Sequence, residues 1–147
     1  MARELIAIAI ALLCACRRDA PAAAEAAAGP ASAPLAAQPF YRVDRAPQAA
    51  CASGAICETA LVLTALGNYH VNKDYPFKFV GDPATAVHVD GPGAFAFGDA
   101  KHGTMTIKFR PASPGTAKLV GTFKLSVCSD ENCEIEAPKL ELLVPVS

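Results

Sequence analysis

The chain has 147 residues, 52% of them hydrophobic, 18% charged and 7% aromatic, with no Trp. That length accommodates one domain of ordinary size, and a formal net charge of -1 leaves no basic excess to neutralise phosphates, which excludes nucleic acid as a partner. Much of the apolar content is Ala crowded into the first forty residues, so the two ends of the chain serve different purposes.

Residues 1–15 read as a lipoprotein signal peptide. Arg3 supplies a short charged region, and the apolar run from Leu5 to Leu13 follows it. The run is too short to span a bilayer as a helix, which needs about 20 residues, and suits the hydrophobic region of an export signal. It ends in Leu13-Cys14-Ala15-Cys16. This resembles a bacterial lipobox, with Leu at −3, a small residue at −1 and Cys16 as the residue that becomes lipidated. Cys14 fits less well, because it would place bulky Leu13 at the cleavage position. Arg17 follows in place of Asp. By analogy with enteric bacteria, this favours the outer membrane of a Gram-negative bacterium for the lipoprotein, with the inner membrane the less favoured alternative.

Residues 16–39 then hold the lipidated Cys16 and an Ala/Pro-rich linker. The pieces between its prolines are too short for a stable isolated helix, and no large apolar face exists to dock on a core. The expected form is an extended tether that holds the following domain off the membrane. Export also fixes the redox compartment, an oxidising space in which disulfides persist.

From Phe40 onward the pattern changes to period two. Tyr41 to Val43, Thr59 to Leu66, Phe77 to Val80 and Ala86 to Val89 are the first apolar runs. Thr104 to Arg110 alternates cleanly, with Met105, Ile107 and Phe109 on one face. Ala117 to Val127 puts Leu119, Phe123, Leu125 and Val127 inward and Lys118, Thr122, Lys124 and Ser126 outward. Leu140, Leu142, Val144 and Val146 alternate with Lys139, Glu141 and Leu143. Gly81-Asp82-Pro83, Asp90-Gly91-Pro92-Gly93 and Pro111 to Gly115 read as the turns between runs. Several short strands at this spacing predict an all-β fold, an immunoglobulin-like antiparallel β-sandwich over residues 40–147.

Four cysteines remain beyond the signal: Cys51, Cys57, Cys128 and Cys133. Four allow three pairings, and proximity favours Cys51–Cys57 and Cys128–Cys133. Closing so short a loop contributes only about 2 kcal/mol in the chain-entropy model, against about 4.5 kcal/mol for a link between the two sites. Local pairing is a weak staple for a sandwich, which favours a functional role for at least one pair. Strand parity adds to this. With Val127 inward, Cys128 points to the other face, where its sulfur is reachable from solvent or sits beneath a covering loop. Asp130, Glu131, Glu134 and Glu136 flank the second pair. Negative neighbours disfavour a thiolate, so the pair is suited to accept electrons from a partner that brings its own activated thiolate.

The stretch Ser126 to Cys133, at the end of a strand near the C-terminus, resembles the redox loop of the periplasmic N-terminal domain of DsbD, the transmembrane thiol:disulfide interchange protein. Leu66-Gly67-Asn68-Tyr69-His70-Val71-Asn72-Lys73, leading into Phe77-Lys78-Phe79, is similar to a second segment of that family. The resemblance covers about Tyr41 to Val146. It implies that Cys128 and Cys133 are the redox pair, with Cys128 the attacking or attacked sulfur and Cys133 its resolving partner. It also implies an aromatic cap over the disulfide, for which Phe95 and Phe97 are the candidates. The sequence departs from the family after the second cysteine, at Glu134-Ile135-Glu136-Ala137-Pro138. Cys51–Cys57 is not part of the family pattern and reads as a structural disulfide. The implied partner is a thioredoxin-like or other periplasmic thiol:disulfide protein, with the membrane reached through the lipid anchor and no cofactor. The competing expectation is a non-enzymatic immunoglobulin-like envelope module, binding or accessory, with two structural disulfides.

Other constellations carry less. His70, His88 and His102 lack the close spacing of a zinc site and read as loop or strand-surface residues, so no metal is expected. Gly91-Pro92-Gly93 reads as a turn and not a phosphate cradle, and no nucleophile elbow of the Gly-x-Ser-x-Gly type is present.

Overall fold

Alternating side chains force a pleated strand to bury one face and wet the other. This is the form the chain takes in the computed structural model, which describes residues 33–147. The signal segment 1–15, Cys16 and the linker up to residue 32 lie outside the described residues. The strands are β1 (Ala36–Gln38), β2 (Tyr41–Arg45), β3 (Cys57–Ala65), β4 (His70–Val71) and β5 (Lys78–Gly81). They continue as β6 (His88–Phe97), β7 (His102–Arg110), β8 (Gly115–Cys128), β9 (Cys133–Glu136) and β10 (Lys139–Val146). No helix occurs among the described residues.

One sheet runs in the order β1-β2-β3-β7-β6. The other is built on β8, the longest strand. Every ladder is antiparallel, and the fold is the expected immunoglobulin-like sandwich. β8 has different neighbours along its length. Its first part pairs with β10 on one edge, from Gly115↔Val146 to Thr122↔Lys139. The same edge then continues onto β9, from Leu125↔Glu136 to Cys128↔Cys133. The opposite edge carries β5 at Gly121 to Lys124 and β4 at Val127 and Cys128. β8, β9 and β10 therefore form one long hairpin interrupted at Ala137-Pro138, where the Pro138 carbonyl still accepts the Phe123 N–H at 3.0 Å.

The inward residues read from alternation are the core. Met105, Ile107 and Phe109 on β7 meet Leu119, Phe123, Leu125 and Val127 on β8, with Leu140, Leu142 and Val144 on β10. Each such side chain, fully buried, stabilises the fold by roughly 1.5–3 kcal/mol in transfer free energy.

Three local readings differ from the structure. β1 lies inside the segment assigned to the linker. Ala36, Ala37 and Gln38 pair with Val43, Arg42 and Tyr41, and Ala-rich sequence gave no alternation to mark it. Gly91-Pro92-Gly93 does not end a strand. It is a bulge within β6, between Asp90↔Lys108 and Ala94↔Thr106. Gly93 has φ +77°, and a Cβ there would meet the Met105 sulfur at 2.6 Å. Glycine thus lets β6 swell without leaving the ladder. Finally, Ser126 has the outward parity expected of it but is fully buried, because β4 and the residue after it cover that end of β8. The Asn72 side-chain amide donates to the Ser126 hydroxyl at 3.2 Å.

Candidate functional site

The end of β8 carries the candidate chemistry. Ser129 and Asn132 close a four-residue turn: the Ser129 N–H donates to the Asn132 carbonyl at 2.8 Å, and the Ser129 hydroxyl to the Asn132 side-chain oxygen at 2.9 Å. With that pair hydrogen-bonded, alternation makes the next rung, Cys128↔Cys133, a non-hydrogen-bonded pair, in which Cα atoms approach most closely. Their Cα atoms are 3.9 Å apart and the two sulfurs are joined.

The two halves of this disulfide differ in access. Cys128 is 6% exposed, whereas Cys133 is exposed, on a strand whose only ladder among the described residues is with β8. The sequence reading gave Cys128 the attacking or attacked role. Its outward parity is as expected, but it is flanked by β4 on one side and β9 on the other, so Cys133 is the half that faces solvent. Ile135, two residues along β9, is 68% exposed. By the same alternation, the backbone N–H and C=O of Cys133 and Ile135 point to the open edge of β9.

The carboxylates divide by parity. Asp130 and Glu131 lie exposed in the turn. Glu134 and Glu136 pair with Val127 and Leu125, so they lie on the opposite face of β9 from Cys133. Glu134 accepts the Asn132 amide at 2.7 Å. Glu136 reaches toward β2, where burial first, and the Glu136 charge second, raise the phenol of Tyr41 above its ordinary value. Only part of the acidic surround read from the sequence therefore flanks the sulfurs.

Phe95 and Phe97, the cap candidates, lie on β6 beside the tip of the β6–β7 hairpin. Phe95 stacks on Phe77 with centroids 3.9 Å apart, and Phe97 stands edge-on to Phe77 at 5.8 Å and to Phe95 at 5.0 Å. Phe123 lies behind Phe77 and Phe95 at 6.4 Å. Phe95 rests on Gly103, where any side chain would occupy the space of its ring. The hairpin tip reaches this end of β8 by its backbone: the Val71 N–H donates to the Ala100 carbonyl at 2.8 Å, and the Lys101 ammonium donates to the carbonyls of Gly67 and Tyr69. In order across this end lie Cys133, Cys128, β4 and the hairpin tip.

Cys51 and Cys57 are joined at the other end of β3. Cys57 is buried at 3%. Cys51 forms a parallel bridge with Val146, its N–H donating to the Pro145 carbonyl at 3.2 Å and its carbonyl accepting the Ser147 N–H at 2.7 Å. This pair anchors the C-terminal strand. His88 and His102 lie on strand surfaces, against Asp90 and Asp99.

The neighbour of the site that sequence reasoning passed over is His70. It lies directly across from Cys128 in the β4–β8 ladder. The segment Leu66 to Lys73 carries part of the family resemblance, but a two-residue strand leaves no periodicity from which its register can be read.

No protein-family model matches the chain, and no curated protein matches it.

Proposed function

We propose that the β8–β9 tip is the exchange site of a thiol:disulfide interchange module. Cys133 is the sulfur first attacked and Cys128 the leaving and resolving sulfur, on a chain that faces the periplasm from a lipid anchor at Cys16. The observation that carries this is the unequal access of the two halves, one exposed on an open strand edge and the other buried between two strands. An incoming thiolate attacks Cys133, a new intermolecular S–S bond forms, and the Cys128 sulfur leaves as a thiolate that takes up a proton. A second thiolate of the partner then attacks the partner's own sulfur in the mixed disulfide and releases Cys133. Two electrons and two protons reach this chain, and the partner is left oxidised. Such a partner is a dithiol protein of thioredoxin-like chemistry. Phe95 packs on Phe77 and Phe123 and Phe97 on Phe77, so only their hairpin tip, docked on β4, comes to this end of β8.

The test is redox titration of the Cys128–Cys133 pair in glutathione buffers, with thiol mapping. The expected potential lies above about −250 mV, whereas a structural disulfide lies below about −300 mV. A Cys128→Ser protein, which leaves Cys133 free, is expected to trap a mixed disulfide with a thioredoxin-like dithiol protein. Cys133→Ser is expected to trap little. A potential in the structural range with no trapped species would defeat the proposal.

A second reading is an accessory envelope module in which both disulfides are structural. Asp130 and Glu131, with no cation in the turn, favour it, since they do nothing to stabilise a thiolate. It predicts that removing Cys128 and Cys133 together lowers stability and leaves partner binding intact.

A further inference from the structure

We propose that His70 is the acid–base partner of Cys128, protonating its sulfur as the disulfide opens and taking the proton back as it closes. The inference rests on the exchange reading above and adds to it the group that manages the proton.

Strand register sets His70 beside Cys128. Cys128 is opposed on β8's two edges by Cys133 and by His70. Directly opposed residues of antiparallel strands project to the same face with Cβ atoms about 4.5–5.5 Å apart. His70, Cys128 and Cys133 therefore form one rung across three strands, all on the face away from the core. Val71 and Val127, the neighbouring pair, are both buried in the core and confirm the parity. The next rung shows that side chains on this face meet, for Asn72 donates to Ser126 there, while the Asn72 N–H donates to the Ser126 carbonyl at 3.1 Å. That hydrogen bond makes His70↔Cys128 a hydrogen-bonded pair by alternation, so backbone bonds fix β4 against the residue whose sulfur must leave.

Chemistry supplies the reason. When Cys133 is attacked, the negative charge moves to Cys128, which is 6% exposed and so has little water to solvate it. Asp130 and Glu131 in the adjacent turn disfavour that charge. An imidazole changes charge near neutral pH and can give up a proton there. Among the other charged groups, Lys101 and the Asp99–His102 pair lie at the β6–β7 tip and Lys73 and Asp74 on the segment that follows β4, while Glu58 on β3, Lys108 and Arg110 on β7, and Lys118 and Lys124 on β8 lie further along the strands packed against β4. The Lys101 ammonium is engaged by the Gly67 and Tyr69 carbonyls, and the His102 ring by Asp99 at 2.9 Å.

The experiment is reduction of the full chain by dithiothreitol, with the rate at each pH divided by the concentration of dithiothreitol thiolate. In the native protein this per-thiolate rate is expected to rise about tenfold from pH 8.5 to pH 5.5, a modest instance of general acid catalysis. In His70→Gln it is expected to stay flat at the lower value. In His70→Lys, which keeps a cation throughout, it is expected to stay flat at the higher value. Rescue by lysine would not follow if His70 only held β4 in place. Identical profiles in the native and His70→Gln proteins would overturn the inference. Should the variants fold poorly, the imidazole resonances of His70 in the reduced native protein provide the second measurement. They are expected to show an inflection where Cys128 ionises that is missing in Cys128→Ser, and its presence in both would also overturn the inference. The dithiothreitol is kept in large excess, so the rate is read on the path to full reduction in either potential range. A potential in the structural range would therefore defeat the exchange reading without altering these profiles, and matching profiles would defeat the role of His70 alone.

Discussion

The chain closes two disulfide loops of nearly equal size, with sequence separations of 6 and 5, and the structure uses them differently. Cys51–Cys57 is set into backbone hydrogen bonds. Cys51 bonds Pro145 and Ser147, Ser53 donates to the Ser147 carbonyl at 2.9 Å, and Gly54 donates to Pro111 at 2.9 Å. Its second sulfur belongs to a core position on β3. Cys128–Cys133 closes a hairpin whose outer strand carries no further ladder among the described residues, and one of its cysteines is exposed. Loop entropy assigns both about 2 kcal/mol, so what separates them is not the loop each closes but what the surrounding chain does with its ends. A bond whose backbone holds a terminus in place resists opening. A bond at the tip of a hairpin already held by its own ladder can open without releasing anything else.

Removing each pair tests that contrast most strongly. Cys51→Ser/Cys57→Ser is expected to lower the unfolding free energy by about 3 kcal/mol, the loop term plus loosened bonds to the C-terminal strand. The amides of Ser53 and Ser147 are expected to lose hydrogen-exchange protection. Cys128→Ser/Cys133→Ser is expected to cost no more than about 2 kcal/mol and to leave those amides protected. Urea unfolding with exchange read by NMR gives both quantities. Equal losses, with Ser147 protected in both proteins, would erase the distinction.

Much of the fold was legible before its coordinates, and the reasons are local. Met105, Ile107 and Phe109 declare an inner face because each long strand of the sandwich has one dry and one wet side. The same rule failed at Ser126, whose outer face is dry because a two-residue strand and Asn72 cover it, and two residues are too few to register as a period. Gly91-Pro92-Gly93 misled for another reason. The glycines and proline that suit a turn also suit a bulge, and only the partner strand β7 decides between them. At the site, pairing and parity were readable from proximity and alternation, but access was not. Cys128 and Cys133 are symmetric in sequence. They become unequal only through β4, which lies nearly sixty residues upstream of Cys128.

The aromatic cluster offers a smaller test, and it asks whether the tip disulfide has a shield that its counterpart lacks. Phe95, stacked on Phe77 and seated on Gly103, is chiefly a packing residue. Phe95→Ala is expected to cost about 2 kcal/mol, below the range for a fully buried phenylalanine. Phe97 is 43% exposed, and Phe97→Ala is expected to cost less than about 1 kcal/mol. If Phe97 shields the tip, its loss speeds reduction of Cys128–Cys133 and leaves Cys51–Cys57 unchanged. Mass spectrometry of alkylated thiols after timed reduction separates the two bonds. The same rate at the tip with and without Phe97 would remove the shield from the account.

The smallest effect is expected from acid, and it probes the hairpin tip that docks on β4. Asp99 accepts the His102 ring at 2.9 Å and the N–H groups of Lys101 and His102 at 2.7 and 2.8 Å. The His102 contact first, and the Lys101 N–H second, hold its carboxyl below the ordinary carboxylate value. Asp82, at the start of the loop after β5, is lowered likewise, first by the Ala84 N–H and then by the Lys139 ammonium. A carboxylate with a depressed folded value contributes stability that is fully present above its unfolded value of about 3.9 and is lost as pH falls through the folded value. Neither group is buried, so the loss is local. As pH drops below about 4, the amides of Lys101, His102 and Ala84 are expected to exchange faster than their intrinsic pH dependence requires. The amides of Cys51 and Ser147, whose bonds involve no carboxylate, are expected to follow the intrinsic dependence. The tip at Asp99 carries the carbonyl that holds Val71, so Asp99→Asn is expected to loosen β4 at neutral pH as acid does. Protection at Val71 that survives both acid and Asp99→Asn would show that β4 holds its place beside Cys128 without help from the hairpin.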